Sequence, residues 1–178
     1  MKIYTKAGDK GDTRLFDGTP VRKNDLRVEA YGEVDELHAV IGAAASFLQD
    51  LELREMLLGI QRDLFSLGAQ LADPNQHGKK AKSKLDPLRI TVLEESIDRF
   101  ETELPPLRQF ILAGGAPSGA MLHVARTVCR RAERRVTALA ESVELAPRTI
   151  EYLNRLSDFL FVLARVVNQR QGQQEIPW

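Results

Sequence analysis

Residues 51–71 read LELREMLLGIQRDLFSLGAQL, in which Leu53, Leu57, Ile60, Leu64, Leu67 and Leu71 recur at steps of four and three. That spacing aligns the apolar side chains along one face of a 3.6-residue helix and leaves the charged residues on the other. The same rhythm appears on both sides of this stretch. Upstream, from Asp25 to Leu48, it runs through Val28, Tyr31, Val34, Leu37, Ile41 and Leu48. Downstream, Asp86 and Pro87 supply an N-cap and a first-turn proline for a third helix with the stripe Ile90, Leu93, Ile97, Phe100 and Leu104, stopped by Pro105 and Pro106. A fourth helix is predicted from about Ser118 to Val143, with Leu122, Ala125, Cys129, Ala132, Val136 and Leu139 facing inward. A fifth follows Pro147, with Ile150, Leu153, Leu156, Leu160, Leu163 and Val167 as its core face. No segment alternates at period two, so the expected fold is an all-α bundle of five helices.

With 178 residues and 43% hydrophobic content, the chain suits one domain, residues 1–178, around one core. Its parts are an N-terminal segment (1–23), the helical bundle (24–170) and a short tail (171–178). Lysine plus arginine and aspartate plus glutamate balance at 25 each, so no global field draws the protein to nucleic acid or an anionic membrane. Any basic site must be local. The opening MKIYTKAGDK lacks the apolar core of a signal peptide, and no run reaches membrane-spanning length. Cys129 is the single cysteine, which excludes an internal disulfide and a cysteine metal cluster, and it reads as a small packed residue. These features together suit the cytoplasm.

Three irregular stretches interrupt the helices. YTKAGDKGDTRLF, Tyr4 to Phe16, mixes glycine turns with charges, yet it has the glycine spacing of neither a Walker-type phosphate loop nor a dinucleotide fold. An unfamiliar phosphate cradle and a plain surface turn both fit it. DPNQHGKKAKSKLDP, Asp73 to Pro87, carries Lys79, Lys80, Lys82 and Lys84 between breakers and reads as a solvated loop, with an anion contact as the alternative. PPLRQFILAGGAPSG, Pro105 to Gly119, embeds Phe110, Ile111 and Leu112. Such a triplet ordinarily tucks under a core and less often lines a pocket.

The densest chemical signal is RTVCRRAERR, Arg126 to Arg135. Arg126, Arg130 and Glu133 form a stripe directly beside the core stripe, at the edge of burial. Arginine-rich helices are usually solvated faces, but guanidinium groups in that position can grip phosphate oxygens bidentately. In YLNRLSDFLF, Tyr152 to Phe161, Asn154 and Asp158 lie four apart beside the core and suit interhelical hydrogen bonds. A di-iron centre is rejected, because it needs paired Glu-x-x-His motifs and only Asp35 precedes a histidine, His38, at that spacing. His77 and His123 read as structural or surface groups.

Taken together, YTKAGDKGDTRLF, AYGEVDEL (Ala30 to Leu37), FILAGG (Phe110 to Gly115), HVARTVCRRAER (His123 to Arg134) and YLNRLSDFLF resemble the PduO-type ATP:cob(I)alamin adenosyltransferases. The resemblance spans nearly the whole chain, with the motifs in the same order. It implies a ferritin-like five-helix bundle with an extended N-terminal ATP-binding loop, assembled as a homotrimer with active sites between subunits. It also implies transfer of the 5′-deoxyadenosyl group of ATP to the cobalt of cob(I)alamin, with release of triphosphate. Ala113 stands where family members often carry proline, leaving the Phe110 loop less constrained, and the tail QRQGQQEIPW has no clear counterpart.

The roles follow by the same resemblance. Thr5, Lys6, Gly8, Asp9, Gly11, Thr13 and Arg14, with Lys23, would form an anion nest around the triphosphate. Arg130, Glu133 and Asn154 would complete the nucleotide site, with Mg2+ bridging phosphate oxygens and its protein ligands unassigned. Asp35 and Arg126 match a pair that bridges subunits beside the corrin, and Phe110 matches the aromatic residue that takes the place of the lower ligand of cobalt. A flavoprotein reductase and an adenosylcobalamin-dependent acceptor enzyme are the implied partners. The alternatives are an ATP- and corrinoid-binding regulatory or chaperone bundle without turnover, and a purely structural bundle.

Overall fold

The structure, a computed structural model, describes residues 3–4, 6–75 and 85–178. Thr5, His77 and the lysines at 79, 80, 82 and 84 lie outside the described residues. The order of elements is β1 (Asp12–Arg14), β2 (Pro20–Arg22), α1 (Leu26–Ser46), α2 (Leu51–Leu71), α3 (Leu88–Glu101), α4 (Pro117–Ala140) and α5 (Thr149–Arg170). The five helices are those expected from the apolar periodicity. In α2 every residue of the quoted stripe is at most 2% exposed.

Local chemistry fixes where the helices begin. The Asp25 carboxylate accepts from Arg27 N at 2.8 Å, and Asp50 accepts from Glu52 N and Leu53 N at 3.0 and 3.2 Å, satisfying amides that have no partner inside the helix. Asp86 does the same for Leu88 N at 2.9 Å, and Pro117 opens α4. Two helices stop earlier than their apolar stripes: α1 ends at Ser46, before Leu48, and Leu104 lies beyond α3 in a turn, where Pro105 disfavours helical backbone at the residue before it. α4 carries its whole stripe and ends at Ala140, short of the expected Val143.

The packing is a relay. α1 lies against α2 on one side and α4 on the other, α4 against α5, and α5 also carries α3. From Val162 to Asn168 every residue of α5 is buried, as expected of a helix enclosed on several sides. Among the described residues no helix is long and apolar enough to cross a membrane.

The N-terminal segment is not extended throughout. β1 and β2 pair antiparallel, Asp12 opposite Arg22, Thr13 opposite Val21 and Arg14 opposite Pro20. Strands of three residues are too short for period-two patterning to register in sequence. The turn of the hairpin is tied to the end of α2 by Phe16 N, which donates to Ala72 O at 3.0 Å, and beside it the buried Arg27 of α1 donates to Leu71 O at 2.6 Å.

One polar junction lies inside the bundle. The fully buried Tyr152 of α5 donates its hydroxyl to Asp63 Oδ2 at 3.1 Å, and Arg89 Nε of α3 donates to the same oxygen at 2.7 Å. Burial, with Asp63 beside it, holds the Tyr152 phenol well above its usual pKa, so it remains a neutral donor. Asp63→Ala is therefore expected to leave both donors unsatisfied and cost about 3 kcal/mol. Tyr152→Phe should cost about 1 kcal/mol, because Arg89 and Asp63 stay paired. Denaturant titration of the two variants checks the order.

Candidate functional site

α4 packs against α5, where the Cys129 thiol meets Leu153 O, and Ala125, Cys129 and Ala132 form a fully buried seam on α4. The residues one position round from that seam project to its edge. There Arg126 and Arg130 enter a cleft of about 570 Å³, shared with Phe110, Arg155, Asp158 and Phe161. Arg155 is neutralised by Glu94 at 3.0 Å and Asp158 at 2.9 Å. Arg131 pairs with Glu33 and Glu36 of α1, and Arg135 with Glu29, so those guanidinium groups lace α4 to α1. Among the described residues no carboxylate pairs with Arg126 or Arg130. Arg126 Nε is buried without an acceptor, and burial followed by the nearby Arg130 charge lowers the Arg126 pKa. Two adjacent guanidinium groups without a counter-ion make this edge of the cleft a receptor for anionic oxygen. Just along the helices, Asn154 Nδ2 donates to Glu133 Oε1 at 3.2 Å.

Phe110 departs from the ordinary expectation for an apolar loop triplet. It is 79% exposed and Leu112 51%, so the loop presents the ring instead of tucking it under the core. Phe110 and Ile111 both border the arginine cleft.

A second cavity, of about 540 Å³, lies over the N-terminal hairpin and is bordered by Gly8, Thr13, Arg14 and Lys23. Gly11 turns the chain at φ +85°, a backbone conformation that side chains oppose, and Lys23 N donates to Gly11 O at 2.9 Å to close the turn. A Cβ on Gly8 would stand 3.1 Å from Lys23 Nζ, so the missing side chain admits the ammonium group. Lys6 and Asp9 belong to the same turn, Asp9 N donating to Lys6 O at 3.4 Å, but they do not border the cavity.

Asp35 sits elsewhere. It is exposed on α1 and borders a cleft of about 340 Å³ with Tyr31, His38 and Phe65. A single chain thus brings Phe110, Arg126 and Arg130 together, collects Gly8, Thr13, Arg14 and Lys23 in a separate cavity, and leaves Asp35 apart from Arg126.

The sequence reading missed Arg165, Asn168 and Glu175, which surround the base of the Phe110 loop. Its available signal was an arginine and an asparagine at inward positions of a helix otherwise apolar there. Among the described residues no group of three or more His, Cys, Asp or Glu side chains is arranged to hold a metal. Cys129 is unsuited to nucleophilic chemistry: it is buried, its thiol donates to Leu153 O at 3.2 Å, and burial pushes its pKa far above the ordinary thiol value. A thiol reagent should leave the native protein unlabelled over hours and label it once denaturant is added. Rapid labelling of the folded chain would contradict this burial.

Known proteins share this sequence pattern and fold. A family model described as cobalamin adenosyltransferase matches residues 3–167. A corrinoid adenosyltransferase of Bacillus subtilis is 44% identical over 182 aligned positions, covering 100% of this chain and 92% of that protein. The corrinoid adenosyltransferase PduO of Salmonella typhimurium is 41% identical across 99% of this chain, which matches 52% of that longer protein. The structure of a variant PduO-type ATP:corrinoid adenosyltransferase from Lactobacillus reuteri, complexed with cobalamin and ATP, superposes with a TM-score of 0.93 at 39% identity over 99% of each chain. With a family model matching residues 3–167 and a relative 44% identical across the chain, this protein belongs to the cobalamin adenosyltransferase family.

Proposed function

We infer that the protein is an ATP:cob(I)alamin adenosyltransferase. The observation that carries this reading is the unpaired Arg126 and Arg130 facing an exposed Phe110 across one cleft, in a chain whose relatives are named for this reaction. The cobalt(I) centre supplies the electron pair that attacks C5′ of ATP. A cobalt–carbon bond forms, the C5′–O bond breaks, and triphosphate leaves with that bond's electrons. No protein nucleophile is required, which suits a site whose neighbouring cysteine is inert. The protein's work is alignment and stabilisation of the departing anion.

We assign the triphosphate to the N-terminal turn, with Lys6, Gly8, Asp9, Gly11, Thr13, Arg14 and Lys23, and with Thr5 from outside the described residues. Arg130, Glu133 and Asn154 hold the rest of the nucleotide. Mg2+ would arrive on the phosphates and take most of its ligands from them and from water, in keeping with a chain that offers no carboxylate cluster among its described residues. The separation of these groups within one chain supports a homotrimer in which neighbouring copies complete each site. The buried Arg126 Nε without an acceptor would then receive the Asp35 carboxylate of the adjacent copy.

Phe110 fills the lower axial space of cobalt, so that benzimidazole is displaced and four-coordinate cob(II)alamin becomes easier to reduce by a flavoprotein donor. An adenosylcobalamin-dependent enzyme consumes the product. In this reading residues 1–23 serve the nucleotide, 24–170 form the bundle, 171–178 close it, and the whole acts as one domain in the cytoplasm.

Arg130→Ala should remove charge-assisted phosphate contacts worth about 1.5–3 kcal/mol and weaken ATP use tenfold or more, with corrinoid use less affected. An anaerobic assay with chemically reduced cobalamin reads both constants, and unchanged ATP kinetics would remove Arg130 from the site. Phe110→Ala should leave the melting temperature nearly unchanged, since the ring is 79% exposed. The four-coordinate cob(II)alamin spectrum seen with ATP should fade, with a smaller loss for cobinamide, which lacks benzimidazole. Equal losses with both corrinoids would sink the displacement role.

A further inference from the structure

The C-terminal tail pairs with the loop that carries Phe110. Trp178 N donates to Phe110 O at 2.9 Å and Leu112 N to Ile176 O at 2.8 Å, with Ile111 opposite Pro177 in an antiparallel bridge. Side chains alternate along such a pair, so Phe110, Leu112, Ile176 and Trp178 share one face. They are 79%, 51%, 61% and 86% exposed, an apolar surface built half from loop and half from tail.

Both halves are anchored to the end of α5 by the same two residues. Arg165, 5% exposed, donates through Nε to Glu175 Oε1 at 2.5 Å and through one terminal nitrogen to Pro105 O at 2.8 Å. It thus holds the tail and the start of the loop with one guanidinium group. Asn168, 7% exposed, donates to Gly114 O at 2.9 Å and accepts from Ala116 N at 3.0 Å, while its backbone carbonyl accepts from Gln173 N at 2.8 Å. A Cβ on Gly115 or Gly119 would stand 2.3 or 2.0 Å from Asn168 Oδ1, so these glycines are the seat of the asparagine side chain. Ala113 does not stiffen the loop backbone as a proline would, and side-chain anchors do the fixing.

We propose that Arg165, Asn168 and Glu175 are positioning residues for Phe110, locking loop 105–116 and tail 171–178 into one unit that sets how the ring meets the corrin. The corrin part rests on the proposed function, while the locking rests on the geometry alone.

Trp178 is the only tryptophan in the chain, so its fluorescence reports the tail directly. Glu175 lies outside the hydrophobic core, and Glu175→Ala should keep the helical circular dichroism. In the ligand-free full-length protein, this variant should lower Trp178 anisotropy. With ATP and cob(II)alamin it should reduce the four-coordinate signal and raise the corrinoid KM by about tenfold, leaving the ATP KM unchanged. Glu175→Gln, which keeps an acceptor for Arg165, should recover part of each loss. Wild-type anisotropy in Glu175→Ala would overturn the lock. Lowered anisotropy with an unaltered corrinoid KM and spectrum would overturn the positioning of Phe110. If the wild-type protein itself gives no four-coordinate signal, the reading of Phe110 fails, and the anisotropy comparison decides the lock by itself.

Discussion

Enclosure of α5 between α4 and α3 is the constraint on which the rest depends. A helix covered on several sides can carry polar groups only where partners are built for them. Each polar side chain buried on α5 accordingly has a hydrogen-bond partner, and three of them mark junctions. Tyr152 joins α5 to Asp63 and Arg89, Ser157 returns its hydroxyl to Asn154 O, and Arg165 and Asn168 gather the loop and the tail. The exposed edge of the same helix gives Asn154 and Asp158 to the cleft region. Core and site are thus two faces of one element, and its rigidity is what a positioning enzyme requires.

The segment RTVCRRAERR shows how a balanced chain makes a local field. At about 100° per residue, Arg131 and Arg135 fall on the side facing α1 and are met by Glu33, Glu36 and Glu29. Arg126 and Arg130 fall on the side facing α5, where no carboxylate pairs with them among the described residues. Identical side chains a few positions apart are therefore structural on one flank and available to a ligand on the other.

What the sequence could reveal followed from the range of the interactions. Helical periodicity is local, so α2 appears in the sequence with the limits it has in the structure, and the interior stripe of α4 is buried as expected. Arg126 and Arg130 were legible because they lie next to that stripe. Phe110 drew notice, but its exposure depends on pairing with a tail more than sixty residues away, which no local pattern encodes. The β1–β2 hairpin is too brief for a periodic signal. Asp35 was visible only through motif resemblance, since a single chain leaves it apart from Arg126.

The staple between the N-terminal hairpin and α2 has a consequence for the order of assembly. Phe16 N donates to Ala72 O, an acceptor that comes into place only when α2 has formed, next to the Leu71 O that Arg27 of α1 already holds. Docking of the hairpin through this bond thus requires a formed α2, whereas the helices make their interior contacts with one another. Such an appendage is free to vary: mutations in its turns should be borne by the bundle with little loss of cooperativity, leaving selection to act there on chemistry instead of on foldability.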